Sequence, residues 1–92
     1  MKIVLNKCYG GFSLSQYAAD LLGINDYCDP DEIREDVQLI AYIESFGSKR
    51  VSGKYASLQV VEIPDSYTDY EINDYDGMEV LTYVVDGKLH HA

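Results

Sequence analysis

The sequence predicts an α+β fold: a single two-layer domain over residues 1–92, in the order β-α-α-β-β-β, with a mainly antiparallel sheet and two helices on one face. Three observations carry that expectation. A β-favouring run, Ile3-Val4-Leu5, stands at the start. Two segments of helical periodicity, each closed by a glycine, follow it. The second half contains two Asp-Gly pairs between β-rich stretches, the sequence of a tight hairpin. Helices early and hairpins late give helices packed on one face of a sheet.

Residues 2 to 8 are read as the first strand. Three consecutive apolar residues imply burial on both faces, and hence an internal position in the sheet. Gly10 and Gly11 end it. Ser13 is placed to cap the next helix, with Gln16 three residues on completing a capping box and Phe12 and Tyr17 a hydrophobic staple. Leu14, Tyr17, Ala18, Leu21 and Leu22 repeat at helical spacing, and Gly23 suits the C-terminal stop.

A polar connection runs from Asn25 to Glu35, where Asp29-Pro30 can open a helical turn. The second helix starts at its cap Asp36 and runs to Phe46, with Val37, Ile40, Ala41 and Ile43 as its apolar face, joined by Leu39 and Phe46 in a wider reading. Gly47 ends it, and Lys49, Arg50, Ser52 and Gly53 form a polar loop. Leu58 to Ile63 is a strand stopped by Pro64. Tyr70 to Tyr75 and Met78 to Val85 pair across Asp76-Gly77, and Asp86-Gly87 allows a short last strand or a frayed tail.

Composition narrows the function. At 92 residues there is room for one core, and the 47% hydrophobic share is that of a folded chain. A domain this small buries somewhat over ~60% of its unfolded surface, so a homodimer covering the remainder is one expectation. Cys8 and Cys28 are too few for a disulfide framework and read as free thiols of a reducing compartment. The opening residues do not read as a signal peptide and no run reads as membrane-spanning, so a cytosolic protein is expected.

Net charge is −9, from seven basic and sixteen acidic residues. Such a chain repels phosphate backbones and anionic lipid, so nucleic acid and membrane are not expected as direct partners. The acids form two runs. One comprises Asp26, Asp29, Asp31, Glu32, Glu35 and Asp36, relieved only by Arg34. The other comprises Asp65, Asp69, Glu71, Asp74, Asp76 and Glu79 and holds no base.

Several constellations bear on chemistry. The loop Lys7-Cys8-Tyr9-Gly10-Gly11-Phe12-Ser13-Leu14-Ser15 joins a strand to a helix start, where unpaired N–H groups attract anions. Lys7, Cys8, Tyr9, Gly10, Gly11, Ser13 and Ser15 are therefore a candidate site for a nucleotide or other small anion. The other reading of the loop is a structural turn, since its spacing matches neither a P-loop nor a dinucleotide fingerprint. Cys8 is a nucleophile by position but lacks an evident base, because His90 and His91 stand at the far end of the chain. No zinc or calcium spacing occurs, and neither metal nor cofactor is expected. Glu44 and Glu62 interrupt apolar elements and mark their exposed sides.

Nine tyrosines complete the inventory. Tyr67, Tyr70, Tyr75 and Tyr83 interleave with the second acidic run. Tyrosine offers large contact area at low entropic cost. Asp69, Tyr70, Glu71, Asp74, Tyr75, Asp76 and Glu79 are thus the candidate partner-binding residues; the other reading is that half of the four rings belong to the core.

The chain resembles a group of small proteins encoded by phages and prophages. The likeness rests on Lys2-Ile3-Val4, the Lys7-to-Ser15 loop, Arg34-Glu35-Asp36 leading to Leu39-Ile40 and Ile43-Glu44, and then Ser52-Gly53 and Ala56-Ser57-Leu58. It continues through Val60-Val61-Glu62-Ile63-Pro64, Tyr70-Glu71-Ile72 and Tyr75-Asp76-Gly77. The Cys-Tyr-Gly-Gly-Phe run is its most specific part. Two departures stand out: Val37 where the group carries proline, and no tryptophan in the last hairpin. The resemblance implies phage origin and no particular activity. Together with the charge, it leads to the expectation of a non-enzymatic accessory protein that binds a basic host or defence protein, as inhibitor or nucleic-acid mimic. A small-anion binder and a cysteine-dependent enzyme are the alternatives.

Overall fold

The computed structural model describes residues 1–24 and 29–92. Cys28 and Asp26, singled out from the sequence, lie outside them. The fold is α+β. Strand β1 (Lys2–Asn6) pairs antiparallel with β2 (Leu58–Glu62), Val4 lying opposite Val60. Strands β3 (Asp69–Tyr75), β4 (Met78–Val85) and β5 (Lys88–His91) form a second antiparallel sheet with β4 in the middle. Between β1 and β2 lie helices α1 (Gln16–Leu22), α2 (Pro30–Ile33), α3 (Val37–Phe46) and α4 (Ser48–Val51).

The expectation of one sheet with β1 internal to it is therefore corrected. β1 is one half of a two-stranded ribbon, yet Ile3, Val4 and Leu5 are fully buried. The ribbon is a middle layer. On one side Val4 and Leu58 meet Leu14, Ala18, Leu39, Ile40, Ile43 and Val51 from the helices. On the other, Ile3, Leu5 and Ile63 meet Leu81, with Tyr70, Ile72 and Tyr83 packed around them. Burial on both faces came from stacking rather than from a neighbouring strand on each side, two situations that give the same apolar run.

The start of α1 also differs from expectation. Ser13, Leu14 and Ser15 run extended beside residues 51–53: the Ser15 amide donates to the Val51 carbonyl at 2.8 Å and the Gly53 amide to the Ser13 carbonyl at 2.9 Å. The helix can begin only after that segment ends. Ser15 is its cap, with Oγ accepting from the Ala18 amide at 3.1 Å, and no capping box forms. Gln16 instead donates to Asp20. Gly23 closes the helix in the left-handed region (φ 69°). The two-residue shift turns Ala18 and Ala19 inward and leaves Tyr17 and Leu21 at the surface.

Asp36 caps α3 as the sequence indicated, its Oδ1 accepting from the Gln38 and Leu39 amides. Leu39, Ile40 and Ile43 are buried, whereas Val37 and Ala41 face solvent. The expected polar loop after Gly47 is instead the turn of α4, which carries Val51 into the core. Both Asp-Gly pairs form hairpins with two positive φ angles, 54° and 94° at Asp76-Gly77 and 52° and 75° at Asp86-Gly87, the type I′ geometry. No helix among the described residues is long and apolar enough to cross a membrane.

Candidate functional site

Arg34 stands just past α2 and is the base within the first acidic run. It points inward, with 8% of its side chain exposed, onto the edge of β1 that β2 does not cover. There the Val4 amide donates to the Arg34 carbonyl at 2.9 Å, and Arg34 Nη1 donates to the Val4 carbonyl at 3.0 Å. The same guanidinium forms a two-pronged pair with Glu79, Nη1 to Oε1 at 2.8 Å and Nη2 to Oε2 at 2.5 Å, and its Nε reaches Asp31 at 3.0 Å. Glu79 Oε1 also accepts from the Asn6 amide at 2.8 Å. Side chains thus do for this strand edge what a third strand would do. Burial acts against the guanidinium charge, but the hydrogen bonds it donates to Glu79 and Asp31, and their negative charge, outweigh it and hold the Arg34 pKa above its ordinary value.

Glu79 therefore leaves the set of candidate surface residues. It is 4% exposed and shares the core-facing side of β4 with Leu81 and Tyr83, each two residues from the next. Its charge suggested solvent, but its register gave the inward direction. Arg34 was the missed partner, and a lone base within an acidic run was the available signal. Asn6 was also missed. It is fully buried, accepting from the Ser57 amide and donating to the carbonyls of Cys8 and Gly77.

Those bonds fasten the glycine loop to the tip of the β3–β4 hairpin. A side chain at Gly77 would collide with the Gly11 amide and the Tyr9 carbonyl, and one at Gly10 with Tyr55. Gly11 itself has φ +91°. The paired glycines permit close approach of three backbone segments. Ser13 packs against Gly53, Ser15 caps α1, and Lys7 Nζ donates to the Glu79 carbonyl at 3.1 Å. Cys8 is half-buried, and Tyr9 is 66% exposed. The residues nominated for an anion thus sit together, and the Lys7 and Ser15 side chains have protein hydrogen-bond partners.

The first acidic run meets β3 elsewhere. Asp31, Arg34 and Glu35 on one side, and Tyr70 and Ile72 of β3 on the other, line a groove of about 320 Å³. The Tyr70 hydroxyl is pushed above its ordinary pKa, first by burial and then by the negative charge of Glu35. A second groove of about 390 Å³ begins at Glu35 and passes Val37, Ile40 and Ala41 to Glu44, which is paired with Lys2 at 2.8 Å. Asp69, Glu71, Asp74 and Asp76 are exposed along the hairpin, Asp74 accepting from the Gly77 amide at 2.6 Å. Of the four tyrosines, Tyr67, Tyr70 and Tyr83 pack against the core and Tyr75 is 61% exposed.

The fold and site define an acidic α+β domain in which the first charged run borders a groove shared with Tyr70 and Ile72 of β3. Comparison with protein-family models, curated proteins and solved structures finds no match.

Proposed function

We propose that this chain is a non-enzymatic accessory protein of phage or prophage origin, acting in the host cytoplasm by binding a host or defence protein that presents a basic surface. One observation supports it above others. Asp31 and Glu35 of the first acidic run share a groove with Tyr70 and Ile72 of β3, the strand that also exposes Asp69 and Glu71 of the second run, while the nearest base, Arg34, is buried and engaged by Glu79 and Asp31. Negative charge is concentrated there with an aromatic ring and an apolar side chain among it, a combination suited to Lys and Arg side chains.

The test is a pull-down from host lysate with the wild type and a Glu35→Lys, Glu71→Lys variant. Both residues are exposed, so folding should be kept, because such surface changes usually stay within about 0.5 kcal/mol. A specifically captured protein should be lost in the variant and on raising salt, as the Debye length falls from about 8 Å at physiological ionic strength to about 3 Å at 1 M. An identical set of captured proteins from both forms, at both salts, would refute the reading.

A further inference from the structure

We infer that the outer face of the β3–β4–β5 sheet is a docking platform for a basic amphipathic segment of a partner protein; the inference rests on the proposed acidic recognition surface and extends it. Strand alternation defines the face. Glu79, Leu81 and Tyr83 turn to the core, so Met78, Val80, Thr82 and Val84 turn away from it. The register sets Tyr75 beside Met78, Asn73 beside Val80, and Asp69 and Leu89 on either side of Val84. Tyr75, Met78, Val80, Val84 and Leu89 belong to neither core cluster, and Tyr75 and Leu89 are 61% and 64% exposed. The wet face of an antiparallel sheet is ordinarily polar. Here its middle strand carries methionine and two valines.

Charge selects the occupant. Asp69 and Glu71 border the apolar stripe along β3, and the register puts no Lys or Arg on this face. A second copy would bring like charges together on a chain already at −9. A segment with one apolar side and Lys or Arg on its flank satisfies both the stripe and its border.

Two synthetic peptides of equal length and charge separate the terms: a leucine–lysine amphipathic helix and a serine–lysine peptide. They are titrated into the labelled protein and followed by amide NMR shifts and by affinity, alongside a Val80→Thr, Val84→Thr variant that keeps β-branched shape. The leucine–lysine peptide should bind the wild type about tenfold more tightly than the serine peptide, shift the amides of Met78, Val80, Val84 and Leu89, and lose most of that margin in the variant. Equal binding of the two peptides, with shifts confined to residues 31–35, would overturn the platform while leaving the acidic surface standing. Binding of neither would overturn both. A wild-type dimer in sedimentation that the valine changes dissociate would show that the face belongs to a second copy, and would overturn the occupant.

Discussion

Glu79→Ala should be among the most damaging single changes in the chain. It leaves the Arg34 guanidinium buried beside Val4 without its two-pronged partner, and leaves the amide of the fully buried Asn6 without an acceptor. Removing one member of a buried ion pair costs about 3–5 kcal/mol, mostly from the stranded charge. A chain of 92 residues has a total stability on the order of 5–14 kcal/mol. The change should therefore lower the melting temperature by about 12 °C or more, at roughly 4–8 °C per kcal/mol for a domain of this size. Urea unfolding followed by circular dichroism gives the loss directly. Glu79→Gln keeps an oxygen for the Asn6 amide and should cost less. Combined with Arg34→Met in a double-mutant cycle, it should show coupling of about 1–3 kcal/mol. Because the pair is enclosed, the loss should barely change between low and high salt. A cost within about 0.5 kcal/mol, the range of an ordinary surface acid, would refute the reasoning.

Three other outcomes follow from the same structure. Gly77→Ala should destabilise well beyond Gly87→Ala in thermal melts: both sit at positive φ, where a side chain costs about 1–2 kcal/mol, but only at Gly77 does the new methyl meet the backbone of Tyr9 and Gly11. Ser15→Ala should cost about 1 kcal/mol as a lost helix cap, and Ser13→Ala distinctly less; the reverse order would return the cap to Ser13. The raised Tyr70 pKa means that the folded chain holds this proton more tightly than the unfolded one. Its contribution is complete below the ordinary value of 10.0 and is lost as pH rises through the folded value. Unfolding midpoints measured across that alkaline range should fall more steeply for wild type than for Tyr70→Phe.

What could be read in the sequence was what depends on near neighbours. Asp36 as cap, Gly23 as stop and the Asp76-Gly77 hairpin use residues within a turn of one another and appear where expected, and of the two outcomes allowed at Asp86-Gly87 the short strand is found. The errors came from distant partners. Ser13 has the composition of a cap, but pairing with residues 51–53 holds it extended. The apolar run of β1 signals enclosure without saying whether strands or layers enclose it. Asp69, Glu71 and Tyr75 lie exposed on the hairpin as their polarity implied, while Glu79, identical in charge, is taken inside by a base 45 residues away. The lone base of the first acidic run hints at such a pairing without naming its distant partner.

The way β1 is finished also bears on how the chain folds. Its ladder partner lies more than fifty residues downstream, and the carboxylate that covers its other edge is further still. The β3–β4 hairpin, by contrast, closes over two residues. Loop closure grows costlier with separation and long-range pairings slow folding, so the hairpin should assemble early and the ribbon last. During synthesis, β1 has one edge open until β2 has been added and the other incompletely covered until Glu79 has. Until then Ile3, Val4 and Leu5 form a short, uncharged, β-prone stretch with open hydrogen-bonding groups, the kind of segment that recruits other chains. Glu79→Ala should accordingly raise the aggregated fraction during refolding more than its loss of equilibrium stability alone would produce. Light scattering during dilution from urea, compared with a core variant matched in stability, would show the difference.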